Sequence, residues 1–563
     1  MLMKPSQLIT AKIFFCLILL IVFSCGRAPS ADTLFINGHI VTMNTPLPAV
    51  EAFAVKDGII TAVGTTEELQ KKYRNVPTED MQGKTVMPGI IDSHGHIMSL
   101  GESFLKLNLE GIKTPAEAVQ RVKERVKQTA PGEWIIGWGW DEGAWAKNYP
   151  SNNELNAVSP DNPVWLTGLH GFASWANNKA LEIADITKDT PNPPNGQIVK
   201  HPKTGEPIGI FTNEAQGLIA KYIPPLSLEQ IEKAYLLAFN ECLKNGITTV
   251  HDANVSQKML DALRSLEAKK QLSIRVYVML DATDKQLIEP FFKNGPIIDP
   301  EHWLTIRTVK VFVDGALGSR GAVLFEPYSD APNTSGVITT SPEELYDITA
   351  KSLKAGMQVA VHAIGDRANR ITLDVFEKAL KTAQAGANNR LRIEHAQVMA
   401  LEDIPRFAQL GIIASMQPPH CTSDMPWVED RIGKGRAKGA YAWRSFLNAG
   451  VRLILNSDFP GETLNPFYGM YAAETRETPE GKPEGGWYPE QRLTRNEVVH
   501  AYTVEGAYAG FEETFKGQIV PGMVADFIIL SDNILSVPSK TLLLITVEKT
   551  YVGGKLMYKQ DTK

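Results

Sequence analysis

Eight apolar segments recur between residues 85 and 459 of this chain. Each is rich in Val and Ile, lacks strict polar alternation, and is followed by loop residues and a helical pattern. Such segments are typical of strands buried on both faces of a parallel sheet. Eight of them with interleaved helices predict an α/β fold, a (β/α)8 TIM-like barrel. In chain order they are "TVMPGIIDSHGH", "GITTVHDAN", "IRVYVML", "TVKVFVDGA", "QVAVHAIGD", "LRIEHAQ", "GIIASMQP" and "VRLILNSDF".

The two ends of the chain predict a second, smaller domain. "TLFINGHIVTMN" and "AVEAFAVKDGIITAVG" near the start alternate polar and apolar residues around Asn-Gly and Asp-Gly turns, and "TVEKTYVGGKLMY" near the end does the same around Gly-Gly. This pattern is typical of strands joined in hairpins. We therefore predict a β-sandwich domain built from residues 31–86 and 506–563, which brackets a barrel over residues 87–505.

The first two barrel segments are too far apart for a single connecting helix. We predict an insertion over about residues 103–240, rich in Trp, Gly and Pro, as in "GWGWDEGAW" and "PNPPNGQ". Long excursions of this kind form lids and binding loops, or only decorate the scaffold. Trp140 therefore has two interpretations: it packs the core of the insertion, or it lines a substrate pocket.

Residues 1–25 have the pattern of an export signal. Lysines precede an apolar run over residues 13–23, which is too short for a stable membrane span and fits a signal-peptide core. The run ends in "VFSCG", which resembles a bacterial lipobox in which Cys25 is lipidated, although Phe23 is bulkier than usual there. We expect either a lipoprotein attached to the membrane only through this anchor, with outer-membrane sorting in a Gram-negative cell, or a periplasmic product of ordinary signal cleavage.

Charge and cysteine content exclude some classes of protein. The net charge is −6 and no long basic run is present, so nucleic acid is not an expected partner. Beyond the signal and Cys25, only Cys242 and Cys421 remain, which is too few for a disulfide framework. The sequence leaves open whether the chain is a monomer or a homo-oligomer.

Histidines and acids follow the predicted barrel strands, at the end where barrel enzymes carry their chemistry. His94 and His96 are two residues apart, so both point to one face of a strand. A lone histidine such as His251 is more typical of a structural hydrogen bond, but several together indicate a metal site. Imidazole ligands favour Zn²⁺ or a similar ion over Mg²⁺ or Ca²⁺. The other strand ends carry His251, Lys310, His362, His395 and Asp458.

This order of residues resembles the amidohydrolase superfamily, in which His-x-His, Lys, His, His and Asp follow one another along a (β/α)8 barrel. The segments "VKVFVDGALGSRGA", "VAVHAIGDRA", "RIEHAQ", "NSDFP" and "KGQIVPGMVADFIIL" are similar to its YtcJ-like branch, also called amidohydrolase 3. One departure is Phe172, where members of the branch commonly have a histidine; His170 lies two positions earlier. The departure concerns a substrate contact and not the fold.

The resemblance implies a site for one or two divalent ions. Its ligands would be His94, His96, Lys310, His362, His395 and Asp458. Lys310 would carry a CO2-derived carbamate that bridges two ions; the alternative is an ordinary lysine paired with Asp314. Asp458 would take a proton from the attacking water and return it to the leaving nitrogen.

The resulting expectation is an exported metal-dependent hydrolase that cleaves a C–N bond other than a peptide bond in a small amide, N-acyl or N-formyl compound. Two alternatives stay open: a binding lipoprotein that keeps the barrel without catalysis, and a metal-dependent isomerase or esterase. The residues expected to contact substrate, or else to make ordinary strand-end hydrogen bonds, are His251, Arg320, Asp366, Arg367, Gln417 and His420.

Overall fold

A computed structural model describes residues 30–44, 47–145, 149–384 and 387–561. The predicted signal peptide and Cys25 lie outside the described residues. The N-terminal part contains seven strands and one helix. These are β1 (Thr33–Ile36), β2 (His39–Asn44), β3 (Leu47–Val50), β4 (Ala52–Lys56), β5 (Ile59–Gly64), α1 (Thr66–Lys72), β6 (Thr78–Asp80) and β7 (Thr85–Pro88).

The apolar segment that contains the His-x-His pair is divided between two sheets. β7 belongs to a terminal sheet, whereas the next strand, β8 (Ile90–Gly95), is the first strand of the barrel. The two strands are separated by Gly89, where a Cβ atom would lie 2.2 Å from Thr248 Oγ1. Only a residue without a side chain allows so close an approach, so a single glycine permits the chain to pass from one sheet to the other.

An additional sheet follows β8 and α2 (Ile97–Leu105), with strand order β13-β14-β12-β11-β10-β9. A buried apolar cluster of this region includes Trp140, Trp145 and Trp175. The predicted end of the insertion, near residue 240, lies within α8. The elements are β9 (Leu107–Asn108), α3 (Pro115–Val126), β10 (Ile135–Trp140), α4 (Glu142–Trp145), α5 (Asn153–Val158), β11 (Val164–Gly168), β12 (Ala173–Ala176), α6 (Asn178–Ile183), β13 (Gly196–Lys200), β14 (Pro207–Asn213), α7 (Gly217–Ala220) and α8 (Leu228–Lys244).

The barrel strands are parallel and follow the predicted order, so the predicted (β/α)8 fold class is confirmed. Their pairing runs β8-β15-β16-β18-β19-β20-β21-β22, and the short strand β17 pairs with β18. The segment after β22 returns to β8, because Asp458 N donates to His94 O at 2.9 Å. The strands are β15 (Ile247–Val255), β16 (Arg275–Asp281), β17 (Ile297–Ile298), β18 (Leu304–Phe312), β19 (Gln358–Ala363), β20 (Arg392–His395), β21 (Ile413–Met416) and β22 (Leu453–Leu455).

Helices follow the strands and cover the barrel. Each of the longer ones buries an apolar face, as α12 does with Leu373 and Phe376. They are α9 (Gln257–Ala268), α10 (Lys285–Asn294), α11 (Pro342–Ala355), α12 (Asp366–Ala383), α13 (Ile404–Leu410), α14 (Pro418–Asp424), α15 (Val428–Ala437), α16 (Trp443–Asn448), α17 (Pro466–Thr475), α18 (Arg495–Ala501) and α19 (Val504–Ala509).

The ends of the chain meet in one sheet. The C-terminal strands are β23 (Phe527–Leu530), β24 (Val547–Val552) and β25 (Lys555–Lys559). The sheet runs β25-β24-β23-β7-β2-β3, and β23 is antiparallel to β7 with Ile528 opposite Met87. A second sheet, β5-β4-β1-β6, packs against it through an aromatic cluster of Phe35, Phe53, Phe527 and Tyr551. Burial of these rings stabilises a domain formed from distant parts of the sequence.

Among the described residues, no helix is both long and apolar enough to cross a membrane. Cys242 and Cys421 are both buried and neither forms a disulfide.

Candidate metal centre

The His-x-His pair lies where β8 gives way to α2. His94 is on the strand, and His96 is the residue that precedes the first turn of α2. The Nε2 atoms of His94 and His96 lie 3.7 and 3.1 Å from Asp458 Oδ1. Both imidazoles therefore face one carboxylate, although it follows the eighth barrel strand and the histidines follow the first.

His362 and His395 end neighbouring strands, β19 and β20, and their ring centroids are 4.4 Å apart. The ring of His395 is also 5.3 Å from that of His94. His395 and Asp458 adopt φ values of +72° and +60°. Non-glycine residues are rarely found in this left-handed region, and the strain tends to occur where side chains must be aimed for function.

Three groups are close enough to share one ion. Ligand atoms of His94, His395 and Asp458 all lie within 4.8 Å of one another. Burial raises the pKa of Asp458, but the neighbouring His94, His96 and His420 have the larger combined effect and hold the pKa well below its usual range. The carboxylate is therefore ionised, which is the form that coordinates a cation.

Lys310 is fully buried on β18, and its Nζ lies 3.3 Å from His94 Nε2. Burial lowers the pKa of Lys310 to about 8. The alternative pairing with Asp314 is not formed, because Asp314 accepts hydrogen bonds from the backbone N–H groups of Val323, Ile364 and Gly365 instead. Lys310 therefore points toward the histidines.

The donor set fits a divalent transition ion. His362 Nε2 and His395 Nδ1 are buried without a hydrogen-bond partner. Burial, followed by the charge of Lys310, lowers the pKa of His94 to about 4 and that of His362 to about 3. Neutral imidazoles offer lone pairs to a metal, and unsatisfied buried nitrogen atoms cost free energy unless a ligand uses them.

One residue of the site was missed at the level of sequence. Glu394 on β20 lies directly before His395, and its Oε2 accepts a hydrogen bond from His94 Nδ1 at 2.6 Å. Burial raises the pKa of Glu394, but Arg392 and His94 outweigh it and hold the pKa well below its usual range. The sequence feature that could have revealed Glu394 is an acidic residue next to a predicted ligand, in "RIEH", within a strand whose residues are all buried.

Among the expected substrate contacts, His420 lies beside the site. Its Nε2 is 3.7 Å from Asp458 Oδ2, and its ring stacks on that of His395 with centroids 5.8 Å apart. Gln417 lies nearby at the end of β21 but is buried, and its Nε2 donates to Asn456 Oδ1 at 2.7 Å. A role for His420 in contacting substrate thus stays a prediction that the geometry allows.

Three other expected substrate contacts form hydrogen bonds within the protein. His251 is fully buried, and its Nδ1 accepts from Arg392 Nη1 at 2.8 Å. Arg320 forms a two-point ion pair with Asp330. Asp366 accepts from Phe325 N at 2.9 Å at the start of α12. These hydrogen bonds correspond to the structural alternative considered for each residue.

Two further expected substrate contacts are Arg367 and Trp140. Arg367 is exposed, and its backbone N–H donates to Val323 O at 3.2 Å. Trp140 is buried in the insertion, where it stacks on Trp145 with ring centroids 5.2 Å apart and donates to Leu166 O at 2.8 Å. Trp140 therefore packs the core of the insertion, as the first of its two interpretations holds.

The fold and the histidine cluster define a metal-dependent hydrolase of the amidohydrolase superfamily. A family model described as "Amidohydrolase family" matches residues 78–558, and the chain belongs to this family, in its YtcJ-like branch. It is 34% identical over 536 residues to the putative amidohydrolase YtcJ of Bacillus subtilis, covering 93% of this chain and 99% of that one. Protein LONG AFTER FAR-RED 3 of Arabidopsis thaliana is 35% identical over 541 residues, which cover 94% and 92% of the two chains.

A relative with a named activity and a solved structure extend the comparison. N-substituted formamide deformylase of Arthrobacter pascens is 27% identical over 545 residues, covering 94% of this chain and 98% of that one. An uncharacterized metal-dependent hydrolase from Pyrococcus horikoshii matches with a TM-score of 0.73 and 31% identity, covering 90% and 99% of the two chains. The similarity therefore extends over the barrel and both terminal segments.

Proposed function

We propose that this protein hydrolyses a non-peptide C–N bond in a small amide, N-acyl or N-formyl compound. The observation that carries the proposal is the convergence of ligand atoms of His94, His395 and Asp458 within 4.8 Å of one another, where the buried nitrogens His395 Nδ1 and His362 Nε2 have no hydrogen-bond partner. The name of the deformylase relative supports an amide-type substrate. The chain retains all six proposed ligands, which supports a catalytic member of the family over a non-catalytic one.

The residues that would hold metal are His94, His96, Lys310, His362, His395 and Asp458. One or two ions, with Zn²⁺ the proposed metal, would supply an activated water and a Lewis acid for the carbonyl oxygen. Asp458 is proposed as the general base, because its carboxylate lies against both His94 and His96 and is held ionised. It would accept a proton from water and deliver it to the departing nitrogen.

Lys310 is proposed to carry a carbamate. A neutral lysine amine adds CO2 with formation of an N–C bond and release of one proton, and the buried position of Lys310 favours the neutral amine. The product is an anion beside neutral imidazoles, which suits a bridging metal ligand. Electron density at Lys310, together with anomalous scattering from the metal, tests this assignment; density that ends at Nζ would refute it.

The experiment for the proposed function is metal analysis combined with a hydrolysis screen of N-formyl and N-acetyl amines. We expect at least one equivalent of bound transition metal and release of free amine. Asp458→Asn should abolish turnover while the metal is retained, since an amide cannot accept the proton. Bound metal with no hydrolysis of any amide or ester would favour the non-catalytic alternative, and an isomerised product would favour the isomerase.

We also propose export, with lipid attached at Cys25. The support is the sequence pattern of residues 1–25, where an apolar core precedes "VFSCG". Cell fractionation with detergent phase separation tests it. The wild-type protein should partition into detergent and Cys25→Ser should not. Partition of both proteins into the aqueous phase would instead favour ordinary signal cleavage and a periplasmic protein.

A further inference from the structure

His94 differs from the other histidines of the site in what holds its second nitrogen. Its Nδ1 donates to Glu394 Oε2 at 2.6 Å, and both side chains are almost fully buried. His96 Nδ1 is bound instead by a neutral acceptor, the backbone carbonyl of Ala253, at 3.1 Å. Within the His-x-His pair, His94 is thus the imidazole whose Nδ1 is held by a carboxylate.

Glu394 is itself fixed by a buried arginine. Arg392 Nε donates to Glu394 Oε1 at 2.7 Å, so one oxygen faces Arg392 and the other faces His94. The remaining Arg392 nitrogens donate to Ser93 O at 2.7 Å and to His251 Nδ1 at 2.8 Å. The guanidinium therefore connects the first, second and sixth barrel strands, and Glu394 has little freedom to turn.

This connection also accounts for His251. An arginine nitrogen only donates hydrogen bonds, so His251 Nδ1 must be the acceptor and its ring carries its proton on Nε2. His251 thus orients Arg392 from the second strand. It is fully buried in the barrel interior, where it supports Arg392 as the structural alternative for this residue expects.

We propose that Glu394, held by Arg392, is a positioning residue that sets the affinity of the metal site through His94. A hydrogen bond from Nδ1 to a carboxylate leaves Nε2 with its lone pair on the side of the site where Lys310 Nζ and Asp458 Oδ1 lie at 3.3 and 3.7 Å, and strengthens it as a ligand. This inference rests on the proposed metal-dependent function. Loss of such a partner generally weakens metal binding by about 10–100-fold.

A purely structural role would make a different prediction. If Glu394 served only to neutralise Arg392, its replacement would lower stability and leave metal affinity unchanged. The pair formed by Arg275 and Asp526 provides a matched control, since it is also a buried arginine paired with a buried carboxylate, here through both oxygens at 2.6 and 3.1 Å. The hydrogen-bond partners of Asp526 are Arg275 and the backbone N–H of Gly553, so Asp526→Asn removes the same charge without touching a histidine of the site.

The test is a Zn²⁺ competition titration against a chromophoric chelator, with the visible spectrum of the Co²⁺-loaded protein as a second measurement. We expect Glu394→Gln to raise the Zn²⁺ dissociation constant at least tenfold and to alter the Co²⁺ bands. Asp526→Asn should change the Zn²⁺ dissociation constant by less than twofold. Folded Glu394→Gln with wild-type affinity and spectrum would overturn the inference, and so would an equal loss of affinity in the control.

A second variant covers the case in which Glu394→Gln does not fold. Arg392→Lys keeps the positive charge but loses the fork that fixes Glu394, and we expect a threefold or greater loss of Zn²⁺ affinity. Wild-type affinity in Arg392→Lys would then overturn the inference. A wild-type protein that binds neither Zn²⁺ nor Co²⁺ would instead refute the proposed function itself, so the two failures are distinguishable.

Discussion

Two layers of buried polar groups occupy the barrel, and they differ in how their hydrogen bonds are satisfied. At the ends of the strands, His362 Nε2 and His395 Nδ1 have no hydrogen-bond partner. Deeper in the barrel, Gln358 accepts from Tyr277 and Thr308 and donates to two backbone carbonyl oxygens. The first layer leaves imidazole nitrogens available to a ligand, whereas the amide group of Gln358 is satisfied by the protein alone.

The difference teaches that a buried histidine is interpreted by its partners and not by its position along a strand. His251 and His362 each lie on a barrel strand and each has a buried Nε2 without a hydrogen-bond partner. Nδ1 of His251 nevertheless accepts from Arg392, whereas the ring of His362 faces that of His395. Unsatisfied buried groups are costly, so proteins retain them where a ligand completes them. The comparison predicts that substitutions in the upper layer remove function and that substitutions in the lower layer remove stability.

The largest expected effect is in the upper layer. His395→Ala removes a nitrogen from the group with His94 and Asp458, and we expect hydrolysis to fall by at least about a thousandfold with loss of bound metal. Activity and metal content of the folded variant are the measurements. Retention of full metal and activity would break the distinction between the layers.

Chelation probes the same layer without mutation. Removal of metal should abolish hydrolysis, and addition of Zn²⁺ should restore it. Because a ligand that binds only the folded state stabilises it, the thermal midpoint should fall on chelation and recover with Zn²⁺. Differential scanning calorimetry before and after chelation measures this; an unchanged midpoint together with unchanged activity would contradict a metal site.

The barrel and the positions of the site residues along it were largely predictable from the sequence. The eight Val- and Ile-rich segments predicted the barrel, because strands buried on both faces need apolar residues throughout. The His-x-His spacing predicted that His94 and His96 lie together, and their rings are 5.6 Å apart. Order along the chain assigned His362 and His395 to the ends of the fifth and sixth strands and Asp458 to the end of the eighth.

The partners of these residues were not predictable, because a hydrogen bond between distant strands leaves no local pattern. Glu394 contacts His94 across 300 positions of sequence, and Arg392 contacts His251 across 141. The same limitation applied to Arg320, whose two-point pairing with Asp330 depends on the path of the loop after β18. The hydrophobic pattern predicted where the strands end, whereas the contacts between side chains depend on how the strands pack.

A stability defect without a catalytic defect is expected in the lower layer. Gln358→Leu removes the donor to two carbonyl oxygens and leaves the hydroxyls of Tyr277 and Thr308 bonded only to each other, at a cost of about 3 kcal/mol of unfolding free energy. Urea unfolding and the hydrolysis rate below the transition are the measurements. A variant with normal stability and lost hydrolysis would reverse the roles of the two layers.

Trp140 extends the comparison to the insertion. Trp140→Phe removes the indole N–H that donates to Leu166 O and reduces the stacking on Trp145, so we expect a loss of about 1–2 kcal/mol. KM should change by less than twofold if Trp140 only packs the core. A tenfold rise in KM at unchanged stability would show instead that Trp140 lines the substrate pocket.

The smallest effect is expected outside the barrel interior, where solvent screens charge. Glu497 caps α18 and pairs with Arg444, and these hydrogen bonds lower its pKa from 4.5 to about 2. A carboxyl group with a lowered folded pKa stabilises the protein fully above its unfolded pKa, and this contribution is lost as pH falls from about 4.5 toward 2. Glu497→Gln should therefore lower stability by about 0.5–1 kcal/mol at pH 7, and the difference from wild type should shrink as pH decreases below about 5. Thermal midpoints of both proteins between pH 7 and pH 4 measure it. A difference that grows toward low pH would mean that the carboxylate is destabilising in the folded protein, since only a raised pKa has that sign.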